Sequence, residues 1–338
     1  MPEPSPTSVA PVRRGRFLRF GAALVVLLGV AAYLAAQYLT GGTGVPKCTV
    51  VSADGDGTSY EFTAEQAVNA ATITAVGTNR GMPERAVTIA LATALQESAL
   101  RNLGHGDRDS LGLFQQRPSQ GWGTEQEILD PAYAAGEFYE HLDKVPDYAD
   151  LPLTVAAQRV QRSGFPEAYA KHEPDATLLA AALTGRAAAT LTCEGRPDPR
   201  PGGPESVRTA LVRDFGRGAF QEAGAAVAAS PSADASAGPS STSSSPSTPS
   251  VPSASVSASD GKRTVIVPVP EKAATGGGQR QRGWALAHWA VANSSALHVE
   301  RVSYAGRVWT AGSTRSEWRD DEPGARNAAG EVRIVTGQ

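Results

Sequence analysis

Cysteine and histidine are scarce in this sequence. Two cysteines and five histidines occur among 338 residues, and neither a His-Glu-x-x-His nor a paired Cys-x-x-Cys motif is present. The sequence therefore predicts no metal site, and nothing in it indicates a cofactor. A Gly-rich phosphate loop ending in Lys-Ser/Thr is also missing, so nucleotide binding of that kind is not indicated.

Aromatic residues are few as well, at 6% of the chain. Glycine and proline gather with serine in particular stretches, and such stretches do not enter a core. The length alone predicts about two domains. The packed part of the chain is therefore expected to be well short of the whole.

Acidic charge is concentrated in one segment. The net charge is −3, but residues 48–193 carry 10 basic against 19 acidic side chains, whereas residues 1–47 carry 5 against 1. A surface of negative sign does not neutralise phosphates, so nucleic acid is excluded as a partner of this segment.

One long apolar run lies near the start of the chain. Residues 20–39 are long enough to span a bilayer once as a helix, and the basic tail at residues 1–19 precedes them. Positive charge on that side predicts a cytoplasmic N-terminus, with the rest of the chain outside the membrane. The alternative is a cleaved signal peptide, after which the protein would be secreted. The sequence thus predicts the membrane as a partner through residues 20–39.

The two cysteines bracket the acidic segment. Export would expose Cys48 and Cys193 to an oxidising compartment, and a disulfide that closes residues 48–193 is the simplest account of their positions. Two free thiols are the alternative.

Helical patterns fill most of this segment. Thr63 and Gln66 form a capping-box pattern, and Asp130-Pro131 is typical of a helix start. We count five or six helices between residues 60 and 185, with at most a small hairpin near residues 110–120. This region is predicted to be a mainly α domain.

The C-terminal half divides into two parts. Residues 194–263 are predicted to form a disordered linker, rich in Ser, Pro and Ala from residue 228, with one marginal helix between Glu205 and Ala228. In residues 264–338 apolar and polar side chains alternate as in a β-strand, and this segment is predicted to form a small α/β accessory domain. It contains a helix over 282–292 and a hairpin about Ala305-Gly306.

Glu97 is the main candidate for chemistry. It flanks the apolar face of a hydrophobic helix near the C-terminal end of that helix. Partial burial and the negative end of the helix dipole both favour a protonated carboxyl group, which is what a general acid needs. The alternative is an ordinary surface glutamate in a last turn.

Three sequence motifs favour the interpretation of Glu97 as a general acid. Glu97-Ser98 at a helix end, Gly112-Leu113-Phe114-Gln115 after a Gly-rich polar loop, and residues 156–163 ahead of Tyr169 follow one another at characteristic spacing. In this order they resemble the lysozyme-like superfamily of goose-type lysozymes and soluble lytic transglycosylases. The run from Ala94 to Trp122 is similar to the lysozyme-like domains of exported actinobacterial cell-wall proteins.

The resemblance implies a role for each matched position. Glu97 would protonate the leaving oxygen of the β-1,4 bond between N-acetylmuramic acid and N-acetylglucosamine in peptidoglycan strands. Ser98 would orient Glu97 or a substrate N-acetyl group. The remaining positions implied to contact substrate are Gly112, Phe114, Gln115, Gln116, Trp122, Gln158, Gln161 and Tyr169. The family's Tyr-Asn pair is absent here, which leaves core packing as the alternative for Tyr169.

Two aspartates bear on the reaction outcome. Asp107 and Asp109 occupy the place where goose-type enzymes carry water-activating aspartates, although both also suit a turn. With a second carboxylate, the product would be a reducing sugar. With Glu97 alone, attack by the muramic 6-hydroxyl would give a 1,6-anhydro ring.

The C-terminal residues 283–289 and 302–309 resemble a small domain appended to actinobacterial wall hydrolases. The whole sequence therefore predicts a membrane-anchored, extracytoplasmic peptidoglycan glycosidase, either a lytic transglycosylase or a muramidase. The alternative is a non-catalytic peptidoglycan-binding or scaffold protein. Protein partners are not indicated.

Overall fold

Short strands at both ends of the predicted helical region pair into a sheet. The computed structural model describes residues 46–195, 203–216, 263–269, 271, 278–312, 317–321 and 330–337. Strands β1 (Lys47–Val51), β2 (Ser59–Thr63) and β3 (Leu191–Cys193) form an antiparallel sheet in the order β2-β1-β3. The two ends of residues 48–193 therefore lie side by side.

The predicted disulfide is confirmed. Cys48 and Cys193 are paired residues in the register of β1 and β3, with 3.9 Å between their Cα atoms, and they are disulfide-bonded. Both side chains are buried. The bond ties the sheet at the point where the helical region begins and ends.

Removing this bond is expected to destabilise the protein. The disulfide closes a loop over a sequence separation of 145. On the loop-entropy model, such a bond stabilises the folded state by about 5 kcal/mol. The double variant Cys48→Ser/Cys193→Ser should therefore lose about 3 to 5 kcal/mol in free energy of unfolding, measured by urea denaturation. Wild type under reducing conditions is the matched control and should lose the same amount. Equal stability of oxidised wild type and the double variant would contradict this account.

Six α-helices lie between β2 and β3. They are α1 (Ala64–Asn79), α2 (Glu84–Ser98), α3 (Glu125–Ile128), α4 (Pro131–Asp143), α5 (Leu153–Gln161) and α6 (Glu173–Leu183), with 3-10 helices at Pro118–Gln120 and Pro166–His172. Helix α2 is the centre of this region, since it packs against α1, α4, α5, α6 and the second 3-10 helix. Its residues from Ala86 to Leu95 are all buried.

The second half of the chain forms a larger sheet. Helix α7 (Pro204–Phe215) precedes β4 (Thr264–Pro268), α8 (Gln279–Ala292), α9 (Ser294–Leu297), β5 (Val299–Tyr304), β6 (Arg307–Thr310), β7 (Arg319–Asp320) and β8 (Glu331–Thr336). The strands lie in the order β4-β8-β5-β6-β7. The predicted hairpin about Ala305-Gly306 is confirmed as β5 and β6.

Helix α8 joins this sheet to the helical region. Every residue from Gly283 to Ala292 is buried, because α8 packs on β5 and β8 and also on α1, α6 and β3. A methyl group at Gly185, just after α6, would lie 1.8 Å from the Gln281 carbonyl oxygen, so only glycine allows this approach. The described residues of both halves belong to one compact unit.

A buried carboxylate reinforces the joint. Asp214 of α7 accepts hydrogen bonds from Thr72 of α1 at 3.2 Å, from the Trp289 indole of α8 at 2.8 Å, and from the Arg213 guanidinium at 2.7 Å. The Asp214 side chain is fully buried. Three separate segments of the chain therefore meet at one side chain.

A buried histidine lies at the same joint. The Nδ1 atom of His288 lies 2.7 Å from the Ala182 carbonyl oxygen of α6. A carbonyl oxygen can only accept, so Nδ1 carries the hydrogen. The Nε2 atom is buried without a hydrogen-bond partner among the described residues. Burial lowers the pKa of His288 to about 4, against a smaller opposing effect of the Ala182 carbonyl.

This histidine is expected to make stability depend on pH. The unfolded chain binds a proton at His288 below its ordinary pKa of 6.5, whereas the folded protein resists protonation down to about 4. The contribution of His288 to the free energy of unfolding is therefore fully present above pH 6.5. It falls by about 3 kcal/mol between pH 7 and pH 4. His288→Asn, which keeps an N–H for Ala182 but does not titrate, should remove that part of the slope in urea unfolding. Parallel slopes for the two proteins would exclude His288 as the cause.

The predicted fold class is wrong. A mainly α domain with a separate small C-terminal α/β domain was expected, whereas the described residues form one mixed α/β structure with two sheets. The three strands of the first sheet are only three to five residues long, too short for a clear alternating pattern. Strands β1 and β2 form a local hairpin, whereas β3 joins β1 from the far end of the region. In place of the predicted hairpin, residues 103–116 form two isolated bridges. Within the predicted linker, residues 204–215 are helix α7; residues 217–262 lie outside the described residues.

The predicted membrane anchor is also corrected. No helix in the described part of the chain is long and apolar enough to cross a bilayer. The longest, α1, has 16 residues, whereas about 20 are needed. Residues 20–39 themselves lie outside the described residues. The described residues therefore do not support the prediction of a single-pass membrane anchor.

Candidate functional site

The end of α2 places Glu97. After Ser98 the backbone turns through two left-handed residues, Ala99 and Leu100, with φ of 52° and 57°. Side chains of α1 hold this turn: Gln66 donates to the Ala99 carbonyl at 2.9 Å, and Asn69 donates to the Leu100 carbonyl at 2.8 Å. Since both left-handed residues carry a Cβ, the turn depends on these contacts. The Glu97 carboxylate, half-buried, is thus fixed relative to two helices.

Tyr169 is hydrogen-bonded to Glu97. Its hydroxyl donates to Glu97 Oε1 at 2.7 Å, although the two residues are 72 positions apart. Burial, and then the charge and hydrogen bond of Glu97, raise the pKa of Tyr169 well above its usual value. The hydroxyl therefore remains a donor at any physiological pH. Tyr169 is also fully buried, as the alternative of a core residue expects.

Ser98 faces the protein interior. The side chain is buried, and its hydroxyl lies 3.1 Å from the Ala94 carbonyl and 2.8 Å from the Leu113 carbonyl. It thereby ties the end of α2 to the loop at residues 102–116. The structure places Ser98 as a support for Glu97 rather than against a substrate.

Most of the predicted groove wall is structural. The Gly112 amide donates to the Leu103 carbonyl at 2.7 Å, and a methyl group at Gly112 would lie 2.7 Å from the Ile128 carbonyl oxygen. Phe114 is fully buried and stacks on Phe138 with ring centroids 4.6 Å apart. These residues shape the loop but do not present free groups to a sugar.

The two glutamines that follow differ from each other. Gln116 is buried and donates to the Ala134 carbonyl at 3.0 Å. Gln115 is half-buried with a left-handed φ of 49°, and its side chain lies against Gly106. Of the predicted wall residues, Gln115 is the one that retains an accessible side chain.

Gln158 and Gln161 hold neighbouring loops on α5. Gln161 donates to the Phe114 carbonyl and Gln158 donates to the Ser163 carbonyl, each at 2.7 Å. Their Oε1 atoms are buried without a hydrogen-bond partner among the described residues. Both side chains therefore position the segments on either side of Glu97.

The two aspartates are not equivalent. Asp109 accepts from the Arg117 guanidinium at 2.8 Å and from the Ser119 amide at 2.9 Å. The Ser119 hydroxyl, the Ser119 amide and Arg117 hold the pKa of Asp109 far below its usual range. The Asp109 carboxylate thus stabilises its own loop. Asp107 is exposed, and its carbonyl accepts from the Ser110 amide, as in a turn.

Trp122 is half-buried against α4. Its ring lies 4.1 Å from the ring of His141, centroid to centroid. Its described contacts connect it to α4 and not to Glu97. The structure therefore assigns it no place in the Glu97 site.

Two contributors were assigned no role of their own from the sequence. Ser163, which follows left-handed Arg162, interacts through its hydroxyl with Tyr169. His172 lies 3.2 Å from Gln96 Oε1, which fixes the 3-10 helix Pro166–His172 on α2. Ser163 ends the third motif of the sequence, but the motif did not indicate that the Ser163 hydroxyl would contact Tyr169.

A cavity of about 640 Å³ lies elsewhere, beside α3, α4 and α7. It is lined by Thr124, Gln126, Glu127, Leu129, Asp130, Pro131, Tyr133 and Arg213. Two of its carboxylates already accept hydrogen bonds from backbone amides at helix starts: Glu127 at α3 and Asp130 at α4. Within the described ranges, no group of three or more His, Cys, Asp or Glu side chains is placed to hold a metal ion.

Comparison with known families concerns the C-terminal part. Residues 265–330 match a family model described as VldE, C-terminal domain. That match covers about a fifth of the chain and does not include Glu97. No curated protein matches the chain.

Proposed function

We propose that this chain is a peptidoglycan glycosidase that uses Glu97 as its general acid. The observation that supports this most is the 2.7 Å hydrogen bond from the Tyr169 hydroxyl to Glu97 Oε1. With Oε1 occupied as an acceptor, the acidic proton belongs on Oε2, so one oxygen of the carboxyl group is assigned to proton transfer. A binding protein has no need of such a division.

The expected substrate is the β-1,4 bond between N-acetylmuramic acid and N-acetylglucosamine. Glu97 Oε2 would give its proton to the glycosidic oxygen as that bond breaks. The Tyr169 hydrogen bond then stabilises the carboxylate that is left. Ser98, Gln66 and Asn69 keep this geometry through their bonds to backbone carbonyls.

We further propose the 1,6-anhydro product. Asp109 is engaged by Arg117 and Ser119, and Asp107 lies exposed in a turn, so neither is prepared to activate water beside Glu97. The Glu97 carboxylate itself would accept the proton of the muramic 6-hydroxyl as that oxygen attacks C1. One carboxyl group then gives and regains a single proton, and no water is consumed.

Digestion of purified peptidoglycan by the full-length protein tests this proposal. Soluble muropeptides with anhydro ends, one water lighter than reducing ends by mass, are the expected result. Muropeptides with reducing ends would support glycosidase activity but show hydrolysis in place of the proposed 1,6-anhydro product. Retention on insoluble peptidoglycan without any release would favour the binding alternative and overturn the proposal.

A further inference from the structure

Phe165 is exposed to an unusual degree for an aromatic side chain. It is 77% exposed, whereas the other exposed large hydrophobic residues of the described part of the chain, Val51, Val155 and Ile266, reach at most 43%. A phenyl ring left in water forgoes most of the stabilisation that its burial would contribute. The ring has no role in the core described above.

The backbone around Phe165 is held firmly. The Phe165 amide donates to Ser163 Oγ at 3.2 Å, and its carbonyl accepts from the Ala168 amide at 3.1 Å. The Arg162 amide bonds to Gln158, whose side chain in turn donates to the Ser163 carbonyl. The exposure of the ring is therefore set by an ordered turn.

This turn lies at the Glu97 site. Ser163 Oγ accepts from Phe165 and also interacts with the Tyr169 hydroxyl, which donates to Glu97. Three polar contacts in succession place the Phe165 amide on the order of 10 Å or less from the Glu97 carboxylate. That distance is about the length of two sugar rings.

We propose that Phe165 is a stacking platform for a sugar ring of the glycan strand next to the bond that Glu97 cleaves. The apolar C–H face of a pyranose ring packs well on an aromatic face. The uncharged phenyl ring of Phe165 therefore suits a sugar that carries no charge. This inference rests on the proposed function and adds a substrate contact that lies in none of the matched motifs.

Binding and kinetics of the full-length protein test it. Retention on insoluble peptidoglycan is measured with Glu97→Gln as the parent, so that the strands stay intact. Adding Phe165→Ala should weaken retention about tenfold, and Phe165→Trp should restore it. In the otherwise wild-type protein, Phe165→Ala should raise KM about tenfold and leave kcat nearly unchanged. Ile266→Ala, an exposed aliphatic residue on β4, is the matched control and should alter neither value.

The outcomes separate this inference from the proposed function. Unchanged retention and KM in Phe165→Ala, with wild type still cleaving, would overturn the platform alone. A fall in kcat with an unchanged KM would overturn it as well. If wild type binds but releases no fragments, the glycosidase proposal fails and the retention of Phe165→Ala still decides the platform. A wild-type protein that neither binds nor cleaves overturns both.

Discussion

Glu97→Gln is expected to lower the rate of muropeptide release by about 10² to 10⁴, the range that a positioned general acid contributes. Glutamine keeps the shape of the side chain and an oxygen for the Tyr169 hydroxyl, but it has no acidic proton. Because the loss concerns the transition state, kcat should fall while retention on peptidoglycan stays near wild type. The measurement is the initial rate of soluble muropeptide release by purified protein.

Two further variants make this result specific. Tyr169→Phe removes the hydrogen bond to Glu97 Oε1 and should slow release by about tenfold, the value of one hydrogen bond to a charged group. Glu65→Gln, an exposed glutamate of α1, is the matched control and should release fragments at the wild-type rate. Release by Glu97→Gln equal to that of wild type would end the assignment of Glu97 as the acid.

Asp214→Ala is expected to lower the free energy of unfolding by about 3 kcal/mol. The substitution leaves the Trp289 indole and the Thr72 hydroxyl without the acceptor that they share in the buried joint. The Arg213 side chain is 47% exposed and can turn to water, so it adds little to the loss. Urea unfolding followed by tryptophan fluorescence measures the effect.

The same helix provides the control for this experiment. Arg208 forms an ion pair with Glu205 at 3.4 Å, and both side chains are largely in water. Arg208→Ala should therefore change stability by less than about 0.5 kcal/mol. If Asp214→Ala were as mild as Arg208→Ala, the joint between α7 and α8 would not depend on this carboxylate.

Local signals in the sequence predicted local structure correctly. The Thr63 and Gln66 pattern is the capping box of α1, and Asp130 caps α4 as expected. In each case the residues that interact are within three positions of each other. The same holds for the hairpin that turns at Ala305-Gly306.

What the sequence could not indicate depends on distant partners. Phe114 and Ser98 were assigned to a substrate groove, yet one stacks on Phe138 and the other binds the Leu113 carbonyl. Whether a loop residue faces in or out is decided by the segments that pack over it. Tyr169 is the converse case: the motif that should contain it is incomplete, but α2 and the second 3-10 helix bring its hydroxyl to Glu97.

Asp214 had no signal of its own. It lies in a stretch that composition assigned to a linker, and a lone aspartate in a short helix is normally a surface residue. Its burial follows from the approach of α1 and α8 from opposite ends of the chain. Pairing over 142 and 75 positions is beyond any periodicity.

Helix α7 contacts β4, so the chain returns close to the place that it left at residue 216 when it resumes at residue 263. The joint between the two halves is made by α8, Asp214 and Trp318, whose indole donates to the Leu191 carbonyl at 2.9 Å. Non-covalent contacts between described residues thus join the two halves in addition to the covalent chain. We therefore expect two separate polypeptides, 46–216 and 263–338, to associate into one molecule.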